Sequence, residues 1–302
     1  KKWMKIVVIA LAVWLSMFLV DYICIKTINR PIFMIRTAIY KDGGIVLANI
    51  TYCTQFELLN EKRILITGGS SGIGYYIAKK SLECGANVII TGRDEKKLQE
   101  AVTNLSSPKC RGLVWDHSNI SIISKKLDEA TSIWGDIDIL INNAGVAPLK
   151  FFGQVDEIEW DRIYDTNLKG NYFLIQEVVN RWKRNSFCGY KKIVNISSQG
   201  GFVGATYPYR MAKWDMRGLT QGLGRELISD NIIVNGIAPG VVKTAMQDFS
   251  LKQGNNLYTD QNPIKRVCLP EEIAELAAFL ISDTSNFIIG QTIVCDGGYI
   301  LK

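Results

Sequence analysis

The chain has 302 residues, 47% of them hydrophobic, and a formal net charge of +6. This length suits one large α/β domain with additions, or two small domains. The charge is modest and no dense Lys/Arg run alternates with aromatic residues, which argues against nucleic-acid binding. Seven scattered cysteines without a CxxC motif argue against a disulfide framework or a metal site, and favour buried free thiols in a reducing compartment. The single histidine, His117, is interpreted as a loop residue rather than a metal ligand.

The amino-terminal segment WMKIVVIALAVWLSMFLVDYICI, residues 3–25, is almost wholly apolar. About 20 residues are needed to cross the hydrocarbon core of a bilayer, and Trp3 and Tyr22 near the segment's ends suit the membrane interface. We therefore predict that residues 1–25 form an uncleaved membrane anchor. A cleaved signal peptide is the alternative, although no A-x-A-like site follows Val20, and a buried hydrophobic helix is a third option.

Short apolar runs alternate with helix-like segments from residue 61 onward. The runs, interpreted as buried strands, are Ile64–Ile66, Val88–Ile90, Leu113–Trp115, Ile137–Ile141, Ile193–Ile196, Ile232–Ile237 and Ile293–Cys295. The predicted helices between them are Gly72–Cys84, Glu95–Leu105, Ile120–Thr131, Glu157–Arg184, Tyr209–Ile228 and Pro270–Ile281. This alternation predicts an α/β domain, residues 61–302, with a Rossmann-type doubly wound parallel sheet of about seven strands and helices on both faces. Residues 26–60, with a β-like run at Ile45–Tyr52, are interpreted as a linker or membrane-proximal segment.

A glycine-rich turn follows the first of these strands, in the sequence TGGSSGIG. Glycines at this position permit a tight turn, close approach of the backbone to a phosphate, and packing of helix against strand. The amino terminus of the following helix presents free N–H groups to a pyrophosphate. The motif's position between a strand and a helix predicts dinucleotide binding, with an unusually flexible loop as the alternative. The predicted cofactor-binding residues here are Gly68, Ser70, Ser71, Gly72, Ile73 and Gly74.

The second predicted strand leads into Thr91-Gly92-Arg93 and carries no carboxylate at its tip. An acid there usually bonds the ribose hydroxyls of a cofactor that lacks the 2′-phosphate. Arg93 can instead hold a 2′-phosphate by paired hydrogen bonds. Asp94 and Glu95 follow, but they also suit the start of the next helix. We therefore predict NADP(H) rather than NAD(H) as the cofactor.

A serine, a tyrosine and a lysine lie close together in the segment from Asn195 to Lys213, NISSQGGFVGATYPYRMAK. The segment leaves an apolar run as a glycine-rich loop, and Tyr209 and Lys213 share one face if a helix starts here. A hydroxyl that faces a phenol, with an ammonium one turn away, suggests acid–base chemistry. The spacing alone is weak support, because Tyr and Lys four residues apart occur by chance in many helices.

The motifs together resemble those of the short-chain dehydrogenase/reductase family, in the branch that includes the ketoacyl-carrier-protein reductases. In that family's order, TGGSSGIG is followed by Asp116, by NNAG, by Asn167 within TNLKG, by the Ser/Tyr/Lys segment and by APGVVKT at Ala238–Thr244. The sequence KRVCLPEEIA then precedes a final DGGY. The resemblance runs from about Lys62 to Tyr299, and none of it lies in the first sixty residues.

This resemblance implies positions for the cofactor. Asp116 lies beside the adenine ring, and the NNAG residues support the sheet and line the cofactor's path. Val242, through its backbone, and Thr244 contact the nicotinamide carboxamide. The further cofactor-binding residues that the family implies are Asn143, Ala144, Gly145, Tyr209, Lys213, Pro239 and Gly240.

The resemblance also implies catalytic roles, and the chemistry agrees with them. A free tyrosine has a pKa of about 10, too high for easy proton exchange near neutrality. The Lys213 ammonium is expected to lower the pKa of Tyr209, which then acts as general acid in reduction and general base in oxidation. Ser198, rather than Ser197, is expected to donate to the substrate oxygen. Asn167 is expected to hold a water that links Lys213 to solvent.

The predicted activity is the interconversion of a carbonyl and a secondary alcohol by hydride transfer, on a small-molecule substrate. A non-catalytic nucleotide sensor or scaffold with the same fold is the alternative. Ser198 and Tyr209 are 11 residues apart, slightly fewer than is usual in the family, so the shortened loop is expected to reshape the substrate pocket. Residues Ala245–Arg266 are expected to cover the substrate, and homo-oligomerisation is a family expectation. Because reduced nicotinamide cofactor resides in the cytosol, we predict that the anchored catalytic domain faces the cytoplasm.

Overall fold

The structure, a computed structural model, describes residues 39–41, 44–46, 58–244 and 262–301. The predicted anchor, most of the predicted linker and residues 245–261 of the predicted substrate cover lie outside these ranges. The chain divides into two compact units, Lys1–Glu57 and Leu58–Lys302. In the first unit, strand β1 (Ile39–Lys41) pairs antiparallel with β2 (Gly44–Val46).

Seven parallel strands form the sheet of the second unit, which confirms the predicted fold class. They are β3 (Arg63–Ile66), β4 (Asn87–Gly92), β5 (Cys110–Val114), β6 (Ile139–Asn142), β7 (Lys191–Ile196), β8 (Ile232–Pro239) and β9 (Thr292–Cys295). Their spatial order is β5-β4-β3-β6-β7-β8-β9. Strands β6 and β8 are buried along their whole length, as a parallel sheet covered on both faces requires.

Helices cover both faces of this sheet. They are α1 (Gly72–Glu83), α2 (Glu95–Leu105), α3 (Ile123–Trp134), α4 (Glu157–Tyr164), α5 (Gly170–Arg184), α6 (Pro208–Leu227) and α7 (Pro270–Ile281). One apolar core joins α1, α2 and α7 to the sheet, through residues such as Ile77, Leu98 and Ile273. A second core joins α3 and α5 to the opposite face, through Leu127 and Leu174. Among the helices within the described ranges, none is long and apolar enough to cross a membrane.

Most predicted elements differ from the structure by one or two residues at an end, and three differ more. The predicted strand Leu113–Trp115 begins earlier, because β5 is an edge strand that tolerates the exposed Arg111 and so lacks a continuous apolar run. The predicted helix Glu157–Arg184 is interrupted between α4 and α5 by a π-helical turn, Asp165–Lys169. The predicted helix Ile120–Thr131 opens as a 3₁₀ turn, and α3 proper begins only after it.

The strand order reverses between β3 and β6, and open α/β sheets bind ligands outside the carboxyl ends of their strands at such a point. Thr67 directly follows β3. Its Oγ1 accepts hydrogen bonds from the backbone N–H groups of Asn143 and Ala144, at 2.9 and 2.8 Å. These bonds hold the loops after β3 and β6 side by side, at the base of the crevice where most of the predicted site residues lie.

Candidate active site

A cleft of about 310 Å³ lies at the carboxyl ends of the central strands. The predicted site residues that line it are Gly68, Ser70, Ser71, Gly72, Ile73, Arg93, Asp116, Asn143, Ala144, Gly145, Ser198, Tyr209, Lys213, Pro239, Gly240, Val242 and Thr244. Two other predicted residues, Gly74 and Asn167, are not part of this lining. The fold therefore brings residues from the ends of six strands, β3 to β8, and from the start of α6 into one cavity.

The glycine-rich turn between β3 and α1 forms one wall of the cleft. Gly68 and Gly72 adopt φ angles of +65° and +55°, which residues with a side chain rarely tolerate. A Cβ atom at Gly68 would also lie 2.9 Å from the Cα atom of Ala144. One at Gly74 would lie 2.5 Å from the carbonyl oxygen of Gly68, so Gly74 serves the packing of α1 against the turn.

Helix α1 starts at this turn with its amino terminus at the cleft. Its N-cap residue, Ser71, makes no side-chain capping hydrogen bond, so the first N–H groups of the helix are available to a ligand. Ser70 and Ile73 line the cleft beside these groups. An uncapped helix terminus next to glycines that leave room for close approach fits a pyrophosphate, and so fits the predicted dinucleotide.

The end of β4 carries the predicted 2′-phosphate contact. Arg93 is exposed and lines the cleft. Within the ranges that the structure describes, no hydrogen bond or ion pair engages its guanidinium, so the group is available to an anionic ligand. Asp116 follows β5, and its Oδ1 accepts hydrogen bonds from the backbone N–H and the hydroxyl of Ser118, at 3.0 and 2.7 Å.

His117 is a residue of this cleft that the sequence interpretation did not assign to it. The side chain is 4% exposed, stacks on Trp115 with 4.5 Å between ring centroids, and lines the cavity. Its Nε2 is hydrogen-bonded to Thr91 Oγ1 at 2.6 Å. Burial lowers the pKa of His117 to about 3, so the imidazole is neutral at physiological pH. His117 therefore ties the loop after β5 to the end of β4.

Two asparagines hold the loop that follows β6. Asn143 Nδ2 donates to the carbonyl oxygens of Thr67 and Gly68, both at 2.9 Å. Asn167, in the π-helical turn, has no exposed surface. Its Oδ1 accepts from the N–H of Val146 at 2.7 Å and its Nδ2 donates to the carbonyl of Val146 at 3.0 Å. The Asn167 side chain therefore positions this loop, and its role in holding a water for Lys213 stays a prediction.

The two serines at the end of β7 make different contacts. Ser197 is buried and donates its hydroxyl hydrogen to the carbonyl oxygen of Lys213 at 2.8 Å. Ser198 caps the short turn that follows, where its Oγ accepts from the N–H of Gly200 at 3.1 Å. The Ser198 side chain also lies beside the Tyr209 phenol, where it acts to lower the pKa of that phenol. Ser198, and not Ser197, thus faces the phenol.

Tyr209 and Lys213 lie one turn apart near the start of α6, as the spacing predicts. The Lys213 Nζ atom lies 5.8 Å from the centre of the Tyr209 ring and donates to the carbonyl oxygen of Ile196 at 2.8 Å. Burial lowers the pKa of Lys213 to about 8. Burial also raises the pKa of Tyr209, and the contact with Ser198 only partly opposes it. The expected net decrease in the pKa of Tyr209 is therefore wrong for this geometry, because desolvation outweighs the favourable contacts.

This arrangement can deliver a proton. A buried tyrosine with a raised pKa is protonated at neutral pH, so its hydroxyl hydrogen is available to an oxygen that gains charge in the cleft. Ser198 supplies a second hydroxyl at the same place.

Aromatic contacts hold the loop before Tyr209. The Tyr207 ring packs edge-on against Phe151 with 5.0 Å between ring centroids, and the Arg210 guanidinium lies 5.3 Å from the centre of the Tyr207 ring.

The chain is similar to known reductases over most of the second unit. The profile of a family described as enoyl-(acyl carrier protein) reductase matches residues 68–300. The 3-oxoacyl-[acyl-carrier-protein] reductase FabG of Aquifex aeolicus is 33% identical over 245 residues, which cover 80% of this chain and 98% of the relative. FabG of Chlamydia muridarum is 37% identical over 247 residues, with coverage of 80% and 98%.

A solved structure agrees with these relatives. The Pseudomonas aeruginosa RhlG/NADP active-site complex superposes with a TM-score of 0.76 at 28% identity, and covers 82% of this chain and 99% of that one. The family profile and the sequence identities together confirm the predicted family. The chain belongs to the short-chain dehydrogenase/reductase family, in the branch that contains the FabG-like reductases.

Proposed function

We propose that this protein is an NADP(H)-dependent oxidoreductase that interconverts a carbonyl and a secondary alcohol. The observation that carries the proposal is the Ser198–Tyr209 hydroxyl pair, with Lys213 one turn away, at the end of a glycine-walled cleft. The relatives support the reaction class, because two of them are 3-oxoacyl-[acyl-carrier-protein] reductases. The catalytic serine, tyrosine and lysine are all retained, which argues against a non-catalytic sensor or scaffold.

The cleft's residues would divide the work as follows. Pro239 and Gly240 would hold a nicotinamide, which would supply the hydride when bound. Tyr209 gives its hydroxyl proton to the substrate oxygen in reduction and takes it back in oxidation. Ser198 donates a hydrogen bond to the same oxygen, where negative charge develops. Lys213, held by the carbonyl of Ile196, provides a buried ammonium beside the phenol and favours its deprotonated form.

Two observations support NADP(H) over NAD(H). The guanidinium of Arg93 stands at the tip of β4, where an acid would bind the ribose hydroxyls of NAD(H). A fork of N–H donors matches a phosphate group better than it matches two hydroxyls. The similar RhlG structure is an NADP complex, which supports the same choice.

The test follows NADPH oxidation by the purified full chain across a panel of acyl, steroid, sugar and small aliphatic carbonyls. We expect turnover with at least one class, and its abolition in Tyr209→Phe with cofactor affinity nearly unchanged. Phenylalanine keeps the ring and removes only the proton donor, so the loss isolates acid–base catalysis. Substantial residual turnover in Tyr209→Phe would contradict the role assigned to Tyr209, and retained NADPH binding without turnover on any class would favour the sensor.

We also propose that the hydrophobic segment, residues 3–25, anchors the protein in a membrane with the reductase domain on the cytoplasmic side. The length and composition of this segment support the anchor, and the cytosolic pool of reduced cofactor supports the orientation. Protease treatment of sealed vesicles tests both. We expect the protein to sediment with the vesicles and its reductase domain to be digested from the cytoplasmic face; a protected domain would overturn the orientation.

Exposed aromatic side chains on three helices support the expected homo-oligomer. They are Trp160 on α4, Tyr172 and Phe173 on α5, and Trp214 on α6, each more than a third exposed. Aromatic residues are enriched in protein interfaces, where their burial contributes strongly to binding. Light scattering on a detergent-solubilised preparation should give a mass above that of one chain, and Tyr172→Asp with Trp214→Asp should reduce it.

A further inference from the structure

The cysteines differ in exposure, and two of them lie together. Cys84 and Cys110 are buried as predicted, whereas Cys188 is exposed and Cys268 and Cys295 are partly exposed, contrary to the prediction for all seven. The Cys268 and Cys295 side chains interact with each other although they are 27 residues apart in the chain, because both residues bond to the backbone of residues 240–243. None of the roles assigned above uses this thiol pair.

The thiol pair is attached to the rim of the cleft through the backbone. Cys295 ends β9, and its carbonyl accepts from the N–H of Gly240 at 2.9 Å. Cys268 forms an isolated parallel bridge with Val242. Gly240 and Val242 both line the cleft, at the end assigned to the nicotinamide. A change at either sulfur therefore acts on the strand end that carries these two lining residues.

The surroundings of the two sulfurs differ in charge. The Cys268 thiol donates a hydrogen bond to the Leu269 carbonyl oxygen at 3.3 Å, and Cys295 and Glu272 lie close enough to act on its pKa. Arg266 pairs with Glu272 at 2.6 Å, and its positive charge acts on both sulfurs. The hydrogen of Cys268 thus has an acceptor in the Leu269 carbonyl, whereas the Arg266 charge favours the thiolate of Cys295.

This asymmetry makes one sulfur the nucleophile. The contact with Cys268 lowers the pKa of Cys295, which favours its thiolate. The same contact and burial raise the pKa of Cys268, which stays a thiol. An accessible thiolate with a neighbouring thiol is the arrangement of a reactive and a resolving cysteine.

We propose that Cys268 and Cys295 are a reversible modification site that closes to an intramolecular disulfide by exchange with a small-molecule disulfide. The Cys295 thiolate attacks one sulfur of the small disulfide and releases one of its halves as thiolate. Cys268 then loses its proton and attacks the Cys295 sulfur, which breaks the mixed disulfide and releases the second half. The protein is oxidised by two electrons, and one small disulfide is reduced to two thiols.

The test incubates the reduced full chain with oxidised glutathione, in a Cys188→Ser background that removes the one fully exposed thiol among the described residues. We expect peptide mass spectrometry to find the Cys268 and Cys295 peptides joined, and dithiothreitol to separate them. In Cys268→Ser, the resolving thiol is missing, so a glutathione adduct should accumulate on Cys295. In Cys295→Ser, neither product should form at the pair. A glutathione adduct that persists on Cys295 with Cys268 present, or no reaction at either cysteine, would overturn the proposal.

The consequence for activity rests on the proposed function and is measured separately. A disulfide displaces two strand ends that carry Gly240 and Val242, so we expect NADPH-dependent turnover to fall by about tenfold on oxidation and to recover with dithiothreitol. The Cys268→Ser variant should keep full turnover after dithiothreitol has removed the glutathione adduct from Cys295. A joined peptide pair with unchanged turnover overturns only the coupling to the cleft, whereas absence of turnover before oxidation counts against the proposed function.

Discussion

The sheet has an amino edge, where its parallel strands begin, and a carboxyl edge, where they end. A lysine is buried at each of these edges, and the two ammonium groups differ in their partners. Lys192, near the amino end of β7, is 2% exposed, and Lys213, at the carboxyl edge, is 5% exposed. Burial lowers the pKa of both to about 8. Lys192 donates to the Ser285 hydroxyl at 3.1 Å and to two carbonyl oxygens at the end of α7. Within the described ranges, Lys213 donates only to the carbonyl of Ile196.

The same contrast holds for the neighbouring charges. At the amino edge, Asp138 accepts from the Arg63 guanidinium at 2.8 and 2.9 Å and from Lys191 at 2.7 Å. At the carboxyl edge, Arg93 makes no such pair among the described residues. A perturbed pKa is therefore shared by both edges and does not identify the site. The carboxyl edge differs because Arg93 and Lys213 have N–H donors that no described residue uses and that are available to a ligand.

The largest effect is expected when the two lysines are exchanged for methionine, which keeps their length and removes the charge. Lys213→Met should lower kcat/KM by about 10³-fold, because the phenol loses its ammonium neighbour. Its free energy of unfolding at pH 7 should not fall. The lowered pKa means that the buried ammonium costs stability, in full below about pH 8 and decreasingly as the pH rises to 10.5. Assays of NADPH oxidation and urea unfolding measure the two quantities.

Lys192→Met is the matched control. Burial lowers the pKa of both lysines alike, so the burial cost is similar, but Lys192→Met removes three donated hydrogen bonds against one. Lys192→Met should therefore be less stable than Lys213→Met by about 2 kcal/mol, while turnover per folded molecule stays unchanged. If Lys192→Met lost turnover, or if Lys213→Met were the less stable variant, the presence of N–H donors available to a ligand would not distinguish the active site from the rest of the fold.

A smaller effect, confined to stability, is expected at the amino edge from Asp138→Asn. The substitution leaves Arg63 and Lys191 without their counter-charge and should destabilise the fold by about 3 kcal/mol at pH 7. The two cations hold the pKa of Asp138 down to about 2. The stabilisation it contributes is thus complete above pH 3.8 and is lost as the pH falls towards 2. Asp136→Asn, at an exposed carboxylate, is the control and should change stability by less than about 0.5 kcal/mol.

Much of this fold could be predicted because its central strands are apolar runs and its helices carry clear start signals. The bounds of α2 and α7 agree with the prediction, since Asp94 caps the first and Pro270 opens the second. The edge strand β5 was placed too late because its exposed residues break the apolar run. A continuous apolar run in the sequence indicates a strand that is buried on both faces, and an edge strand such as β5 is not buried in this way.

The candidate site was predictable where a contiguous motif fixes backbone geometry, as in the turn Gly68–Gly74 and the segment that ends at Lys213. Contacts between distant segments were not. His117 faces Thr91 across 26 residues, and no local pattern announces that pairing. The direction of the Tyr209 pKa was wrong for the same reason, because desolvation depends on all the chain that packs around the phenol.

Arg93→Ala tests the guanidinium at the end of β4, in the part of the cleft that is expected to hold the adenosine of the cofactor. We expect NADPH affinity to fall by about tenfold and NADH affinity to change little, because only NADPH carries the 2′-phosphate that the guanidinium would bind. Cofactor fluorescence titration measures both dissociation constants. Lys96→Ala, an exposed cation three residues further on, controls for the general loss of positive charge. A preference for NADH in the intact protein would reject both the cofactor and the role of Arg93.

The smallest effect is expected from His117→Phe, which keeps a ring to stack on Trp115 and removes the hydrogen bond to Thr91. At pH 7 the variant should be less stable by about 1 kcal/mol. The pKa of His117 is lowered from 6.5 to about 3, so the unfolded chain binds a proton that the folded one excludes. The wild type therefore loses stability as the pH falls from 6.5 towards 3, and the variant lacks this loss.

Urea unfolding at pH 7 and at pH 4.5 should accordingly show the stability difference shrinking or reversing at the lower pH. A difference that stays constant with pH would mean that His117 titrates alike in both states, and that its ring is not held neutral within the wall of the cleft. If the difference does reverse, the imidazole is a scaffold element despite its place in the cavity. The carboxyl edge would then contain Arg93 and Lys213, whose N–H donors are available to a ligand, and the neutral His117 ring, which links β4 to the loop after β5.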